Sequence, residues 1–219
     1  MNISEKLSAL RRLYTQYEEA GHDWPAACRT GCAACCTRNV TMTTLEGLLI
    51  IDHMTARGQP DLLEKIQAAA SRKRFQPAVT TNRMALLCLQ GRDLPDDEND
   101  PAWGRCPLLT DARCPIYPVR PFGCRCMVSR RDCRTTGAAD MDPLILSVNH
   151  LFLQFIEHLD RPGFSGNLTD VLLFLHSDAG RNHYQAGIRR QPDAALQPNT
   201  AIPALLVPAE HRDKITPLI

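Results

Sequence analysis

Residues 28–36 read Cys-Arg-Thr-Gly-Cys-Ala-Ala-Cys-Cys, and the reading of this run decides the architecture of the chain. Thiols bunched at steps of four, three and one suit a metal site, because so short a loop can aim several sulfurs at one point. A disulfide framework needs no such bunching. A second cluster follows at Cys106, Cys114, Cys124, Cys126 and Cys133. Of the ten cysteines only Cys88 stands apart, in the apolar run Met84-Ala-Leu-Leu-Cys-Leu, where it reads as a small buried hydrophobe.

The compartment separates metal from disulfide. The first twenty residues alternate charged and apolar positions at helical spacing, without an uninterrupted apolar core or a small-residue cleavage site, so they do not read as a secretory signal. No stretch approaches the ~18 apolar residues of a membrane span. The expectation is a cytoplasmic protein, in a compartment where thiols stay reduced and metal is the better use of so many cysteines. A length of 219 residues suits a single domain, and a net charge of +1 gives no global case for nucleic acid.

Around the cysteines the chain reads as mainly α. Ile3, Leu7, Leu10, Tyr14 and Tyr17 recur at helical steps, predicting a helix over 3–20 that ends at Gly21. A short strand is expected at 38–42. Thr43 with Glu46 forms a capping box for a helix to about residue 57, stopped by Gly58. Further helices are expected over 60–75 and 82–90. Another starts at Asp142-Pro143 and runs to Leu159, with Leu144, Val148, Leu151, Phe155 and Leu159 on its apolar face, packed on the 44–57 and 60–75 helices. A shorter helix covers 168–176. Between Cys106 and Cys114 the Thr110-Asp111-Ala112 turn suggests a small β-hairpin. The fold class is thus mainly α with irregular cysteine-rich loops and a small hairpin, a single metal-binding domain over 1–178. The Pro- and Ala-rich stretch 179–219 reads as an extended tail with little structure of its own.

Spacing constrains the site. Cys28 and Cys32 would share a face on a helical turn. Cys32-Ala33-Ala34-Cys35 is a CxxC knuckle, and Gly31 before it would let the backbone come close to the ion. Cys35 and Cys36 are adjacent, and neighbouring side chains diverge, so they more naturally reach two irons of a cluster or two ions than one tetrahedral ion. Cys124 and Cys126 point the same way if the chain there is extended. Arg113, Arg120, Arg125, Arg130, Arg131 and Arg134 crowd the second cluster, either to offset thiolate charge or to pair with the acidic loop at 93–100. Ferredoxin-type spacings, Cys–His zinc-finger pairs and nucleotide-binding motifs are not found.

The segments CRTGCAACC, RCPLL and CPIYPVRPFGCR together resemble the YkgJ-type cysteine cluster proteins, also known as the CxxCxxCC family of zinc- or iron-chelating domains. The resemblance spans about 28–133 and maps the family cysteines onto Cys28, Cys32, Cys35, Cys36, Cys106, Cys114 and Cys124. Ile116, Tyr117, Arg120, Pro121 and Arg125 complete the signature. Cys126 and Cys133 are extra to that pattern and are kept as further candidate ligands, and Pro118 stands where the family often has an acidic residue. The resemblance implies metal binding, with iron–sulfur and zinc both open. Arg120 and Arg125 are expected beside the site, donating to a sulfur or a backbone carbonyl. Flagellin lysine N-methylases carry a similar domain linked to an iron–sulfur cluster, although nothing in this chain reads as a methyltransferase site. Two functions are therefore weighed. One is an iron–sulfur protein (4Fe-4S) in electron transfer, maturation or a modification reaction, with a protein partner and neither nucleic acid nor membrane. The other is a zinc-stabilised interaction module without chemistry at the metal.

Overall fold

The computed structural model describes residues 1–29, 31–187 and 195–218. Its frame is helical. Helix α1 spans Ile3–Ala20 and α2 spans Thr44–Ala56. Helices α3 (Asp61–Ala68) and α4 (Thr81–Leu89) follow, then the short α5 (Phe122–Arg125) and α6 (Cys133–Thr136) inside the second cysteine segment. Helix α7 covers Pro143–Leu159, α8 Leu168–His176 and α9 Asp178–Gln185, with α10 at Arg212–Ile215. Three short strands, β1 (Thr41–Thr43), β2 (Phe164–Asn167) and β3 (Leu196–Pro198), form an antiparallel sheet in the order β1-β2-β3. The mainly α class holds. Among the described residues no helix is long and apolar enough to cross a membrane.

Capping chemistry sets the helix starts. Asn2 and Glu5 make a reciprocal capping box at α1, and Thr43 with Glu46 makes the expected one at α2. Asp142 caps α7 through the Leu144 N–H, with Pro143 in the first turn. The core is a continuous apolar cluster in which Leu10, Leu45, Ile50, Leu151, Val171 and Leu172 are fully buried.

Several expectations are corrected. Helix α7 packs chiefly on α1 and α4, while α8 takes the faces of α2 and α3. The buried stripe of α7 is Ile145, Val148, Leu151, Phe152 and Ile156, rotated from the predicted face. The 60–75 helix stops at Ala68. Cys88 is exposed, because α4 buries Asn82, Ala85 and Leu87 and its last turn runs past the core.

The C-terminal stretch also departs from the expected tail. Its described part contributes α9, β3 and α10, and Tyr184, Leu196 and Ile215 are buried. The reason lies in polar residues of α7. Gln154 donates to the Ala204 carbonyl at 2.8 Å and accepts from the Leu206 N–H at 2.7 Å. Glu157 accepts from the Thr200 N–H at 2.9 Å. Buried polar groups need partners, and this stretch supplies them.

Asp160, at the end of α7, shows the same rule. It is fully buried and accepts from the Thr44 hydroxyl at 2.7 Å, the Tyr184 hydroxyl at 2.6 Å and the Leu45 N–H at 3.0 Å. Burial pushes its carboxyl up to about 6, against these donors, which favour the charged form. The folded state therefore holds this proton more tightly than the unfolded chain. The contribution of Asp160 is full below the unfolded value near ~3.9 and is lost as pH rises through about 6. Denaturant titrations of Asp160→Asn should show a flatter pH dependence between about 4 and 6 than the wild type. A slope identical to wild type would mean that Asp160 does not titrate there.

Candidate metal centre

The 28–36 loop is shaped by short backbone hydrogen bonds. The Cys32 N–H donates to the Arg29 carbonyl at 2.9 Å and the Cys36 N–H to Ala33 at 3.2 Å. Gly31 has φ of +81°, and a Cβ there would meet nothing within 4 Å. The left-handed turn, rather than a close approach, is what calls for glycine. Cys28 lies in irregular chain, so no helical turn pairs it with Cys32.

The second segment folds back onto this loop. The Cys106 N–H donates to the Cys36 carbonyl at 3.0 Å, the Arg38 N–H donates to the Gly104 carbonyl at 3.0 Å, and Thr37 bridges Arg105 in antiparallel fashion. The expected hairpin turn is present, with Thr110 and Arg113 exchanging backbone bonds at 3.0 and 2.8 Å. Asp111 and Ala112 both have positive φ, which closes the turn tightly before Cys114. A turn of 3-10 helix at Tyr117–Val119 then leads through Pro121 into α5, which carries Cys124.

Two supports hold α5 in place. Glu46, 2% exposed, accepts from the Tyr14 hydroxyl at 2.8 Å and from the Phe122 N–H at 2.7 Å through one oxygen. Its other oxygen completes the α2 cap. Gly123 is the second: a Cβ there would stand 2.8 Å from the Thr41 carbonyl oxygen of β1. Glu46 is legible in the sequence only as a cap, and no pattern in the sequence discloses its reach to Phe122.

Within this frame Cys36, Cys106, Cys114 and Cys124 are half-buried neighbours whose charges act on one another. Burial pushes Cys106 up, and the backbone N–H groups of Leu108 and Leu109 counter it by favouring the thiolate. Burial likewise raises Cys114, offset by the Ile116 N–H and the Arg120 charge. Cys124 is driven up by burial and then by Cys106 and Cys114. The Cys35 thiol donates to the Cys36 sulfur, so Cys36 alone of this group is pulled below the ordinary thiol value, while Cys35 is raised. On the other side of the loop, burial raises Cys28, which lies within electrostatic reach of Cys32, Cys35 and Cys133. Cys126 is placed differently. Residues two apart on the helical turn at α5 point in different directions, so Cys126 does not follow Cys124 as an extended chain would require. It is 8% exposed within the apolar core, and burial pushes it up to about 12.

Among the described residues, none of the arginines beside the second cluster forms an ion pair with the acidic loop at 93–100. Arg130 and Arg131 pair with Asp140 at 2.8 and 3.0 Å, and Arg134 and Arg29 with Asp132 at 2.6 and 3.4 Å. Arg125 is buried, donates to the Arg120 and Pro118 carbonyls at 3.0 and 2.7 Å, and pairs with Glu18. Its guanidinium braces the 117–121 turn from below. Arg120 lies over the Tyr117 ring at 3.8 Å and donates to the Tyr117 carbonyl at 2.9 Å.

These features fit a soft, thiophilic metal. Six thiols, Cys28, Cys35, Cys106, Cys114, Cys124 and Cys126, are held above their ordinary values, and backbone N–H groups aim at the sulfurs of Cys106 and Cys114. A cation among them would relieve the mutual repulsion of the thiolates, and donated hydrogen bonds orient and tune such ligands. Among the described residues, no three Cys, His, Asp or Glu side chains already stand in closed ligating positions, so the set is gathered rather than closed.

Residues 27–141 match the model of the family CxxCxxCC, whose description is "putative zinc- or iron-chelating domain". No curated protein and no solved structure matches the chain. The matched span holds every clustered cysteine, the hairpin, the α5 turn and the arginines that brace it, and it covers more than half of the sequence. The chain belongs to the CxxCxxCC family of metal-chelating domains.

Proposed function

We propose that Cys36, Cys106, Cys114 and Cys124 hold an iron–sulfur cluster of the 4Fe-4S type. The chain then works in the cytosol with a protein partner, in electron transfer, maturation or a modification reaction. The observation that carries this reading is the junction itself. Thiols from two distant segments meet at half-buried positions, three of them on turns locked by backbone hydrogen bonds at Cys36, Cys106 and Cys114. Half-burial leaves an electron a short path to solvent and to a partner. When bound, such a cluster supplies a one-electron couple whose potential follows cluster charge, hydrogen bonds to sulfur and exposure. The chain's own residues act on those same variables. The Leu108, Leu109 and Ile116 N–H groups favour thiolates at Cys106 and Cys114, and the Arg120 charge favours them at Cys35 and Cys114. Arg29, Arg130, Arg131 and Arg134 are engaged with Asp132, Asp140 and Asp142, which supports a reading without nucleic acid.

A zinc reading has one specific observation in its favour. The turns after Cys106 and Cys114, closed by the Leu109 and Tyr117 N–H groups at 3.1 and 3.2 Å, also suit a tetrahedral knuckle. Anaerobic purification separates the two. The cluster predicts brown protein with broad absorbance near ~400 nm and matching iron and inorganic sulfide. Colourless protein whose only bound metal is zinc would replace the cluster with the structural alternative.

A further inference from the structure

Tyr117 is 60% exposed, and among the described residues it is the one exposed aromatic side chain. Its ring is held in place. The Arg120 guanidinium lies over one face at 3.8 Å and donates to the Tyr117 carbonyl at 2.9 Å. Ile116 and Val119 anchor the turn in the core, and the Tyr117 N–H donates to the Cys114 carbonyl at 3.2 Å. Beside Cys114 lies an open cleft of about 660 Å³, lined by Thr110, Asp111, Arg113, Cys114 and Pro115. Two arginines here differ from those around them. Arg125, Arg130, Arg131 and Arg134 each pair with a carboxylate, whereas among the described residues Arg113 and Arg120 form no ion pair. The surface is thus a fixed aromatic ring with two unpaired guanidinium groups, one at the cleft and one on the ring.

A surface of the opposite character stands elsewhere on the same chain. Residues 88–102 are exposed without interruption. The second half of this loop is tied down: Asp97 accepts from the Ala78 N–H at 3.4 Å, Glu98 pairs with Lys73 at 3.0 Å, and Asp100 caps the 3-10 turn Pro101–Trp103. Its first half, Asp93-Leu94-Pro95-Asp96, makes no side-chain hydrogen bond or ion pair among the described residues, and Leu94 is 43% exposed. The knuckle therefore presents one apolar side chain between two free carboxylates. We propose that the 93–96 knuckle of a second copy of this chain docks on Tyr117, with its carboxylates on Arg113 and Arg120 and Leu94 against the ring face that Arg120 leaves open. The second copy then covers the Cys114 cleft. Tyrosine and arginine are frequent anchors of interfaces, and a side chain ordered in advance loses little freedom on binding. A reciprocal arrangement, each knuckle on the other copy's ring, closes as a dimer. So short a knuckle makes a small contact, of the transient class below ~1,200 Å². Nucleic acid suits the face less well, because Asp111 stands in the cleft and only two cations are free. The docking needs no metal and goes beyond the cluster reading.

Sedimentation velocity of the full chain, kept reduced so that no disulfide links the copies, tests the docking. Wild type should form dimers at low salt as its concentration rises. Its dissociation constant should increase about tenfold or more towards about 1 M salt, where the screening length falls to about 3 Å. Tyr117→Ala and Arg113→Glu, both at exposed positions, should each weaken association about tenfold or more and keep wild-type helicity. Asp93→Arg and Asp96→Arg act on the other side of the contact and should each weaken it alone. The one that faces Arg113 should regain association when mixed with Arg113→Glu, since the reversed charges then meet, and a folding defect would not recover on mixing. A wild type that stays monomeric at low salt, dimers that persist in Tyr117→Ala and Arg113→Glu, or no recovery in either mixture would overturn the self-docking. Salt-dependent binding of a short RNA by monomeric wild type, lost in Arg113→Glu, would overturn it in favour of nucleic acid on the same face.

Discussion

Replacing Glu46 with alanine should be the most damaging single change outside the cysteines, lowering the stability of the fold by about 3–5 kcal/mol. Its carboxylate is buried and satisfies the Tyr14 hydroxyl, the Phe122 N–H and the Thr43 N–H and hydroxyl. Alanine removes the acceptor and leaves these buried donors without it, and an unmade buried hydrogen bond costs more than a made one contributes. The site should suffer as well, because the Phe122 N–H sits two residues before Cys124 at the start of α5. Metal retention should weaken by about 10–100-fold, the range seen when residues that orient ligands are removed. Glu46→Gln keeps one carbonyl oxygen and should fall between. Urea titration and metal content of the two variants measure both effects. Wild-type stability in Glu46→Ala would mean that these donors find other partners.

Gly123→Ala should come second, at about 1–3 kcal/mol, the usual cost of forcing atoms into a filled space. The added Cβ would lie 2.8 Å from the Thr41 carbonyl oxygen, closer than real Cβ contacts, and the neighbour is backbone in a paired strand. Thr41 pairs with Asn167 across β1 and β2, so it cannot retreat without disturbing the sheet. The α5 turn must move instead, and Cys124 moves with it. The expected result is lower thermal stability together with a partial loss of metal. Full metal content with only a lower melting temperature would show that Cys124 tolerates the shift.

Much of the helical frame is legible in the sequence because its signals are local. Thr43 with Glu46 and Asp142 with Pro143 mark helix starts through residues within one turn, and the 3–20, 143–159 and 168–176 helices fall where they are expected. The sheet is less legible. Strand β2 reads Phe-Ser-Gly-Asn, without the β-branched residues that mark strands, and its pairing with β1 joins residues far apart in sequence. The C-terminal stretch is misread for the same reason: the partners of Gln154 and Glu157 lie about fifty residues away, and composition carries no trace of them. Cys88 is misjudged because an apolar neighbourhood in sequence does not fix which side of α4 faces the core.

For the site, clustering of the thiols is visible in their spacing, and the family signature joins Cys28 through Cys124 into one set. What spacing does not convey is how the loop is held against the second segment. That depends on Ser129, Asp132 and Arg105, which hold the loop at two different points through backbone bonds and the Arg29–Asp132 pair. The pairing of the arginines is equally hidden. Sequence proximity suggests the acidic loop at 93–100, whereas Asp132, Asp140 and Glu18 are the carboxylates the fold brings within reach.

The central claim is that the two cysteine segments build one centre across their junction, with Cys36 from the first and Cys106, Cys114 and Cys124 from the second. The direct measurement is iron, inorganic sulfide and visible absorbance of anaerobically purified Cys36→Ser and Cys124→Ser proteins beside the wild type. The account predicts that both variants lose iron, sulfide and the absorbance near ~400 nm together, while far-ultraviolet helicity is retained because α1, α2, α7 and α8 pack without these cysteines. Full iron and an unchanged spectrum in either variant would contradict a centre shared between the segments.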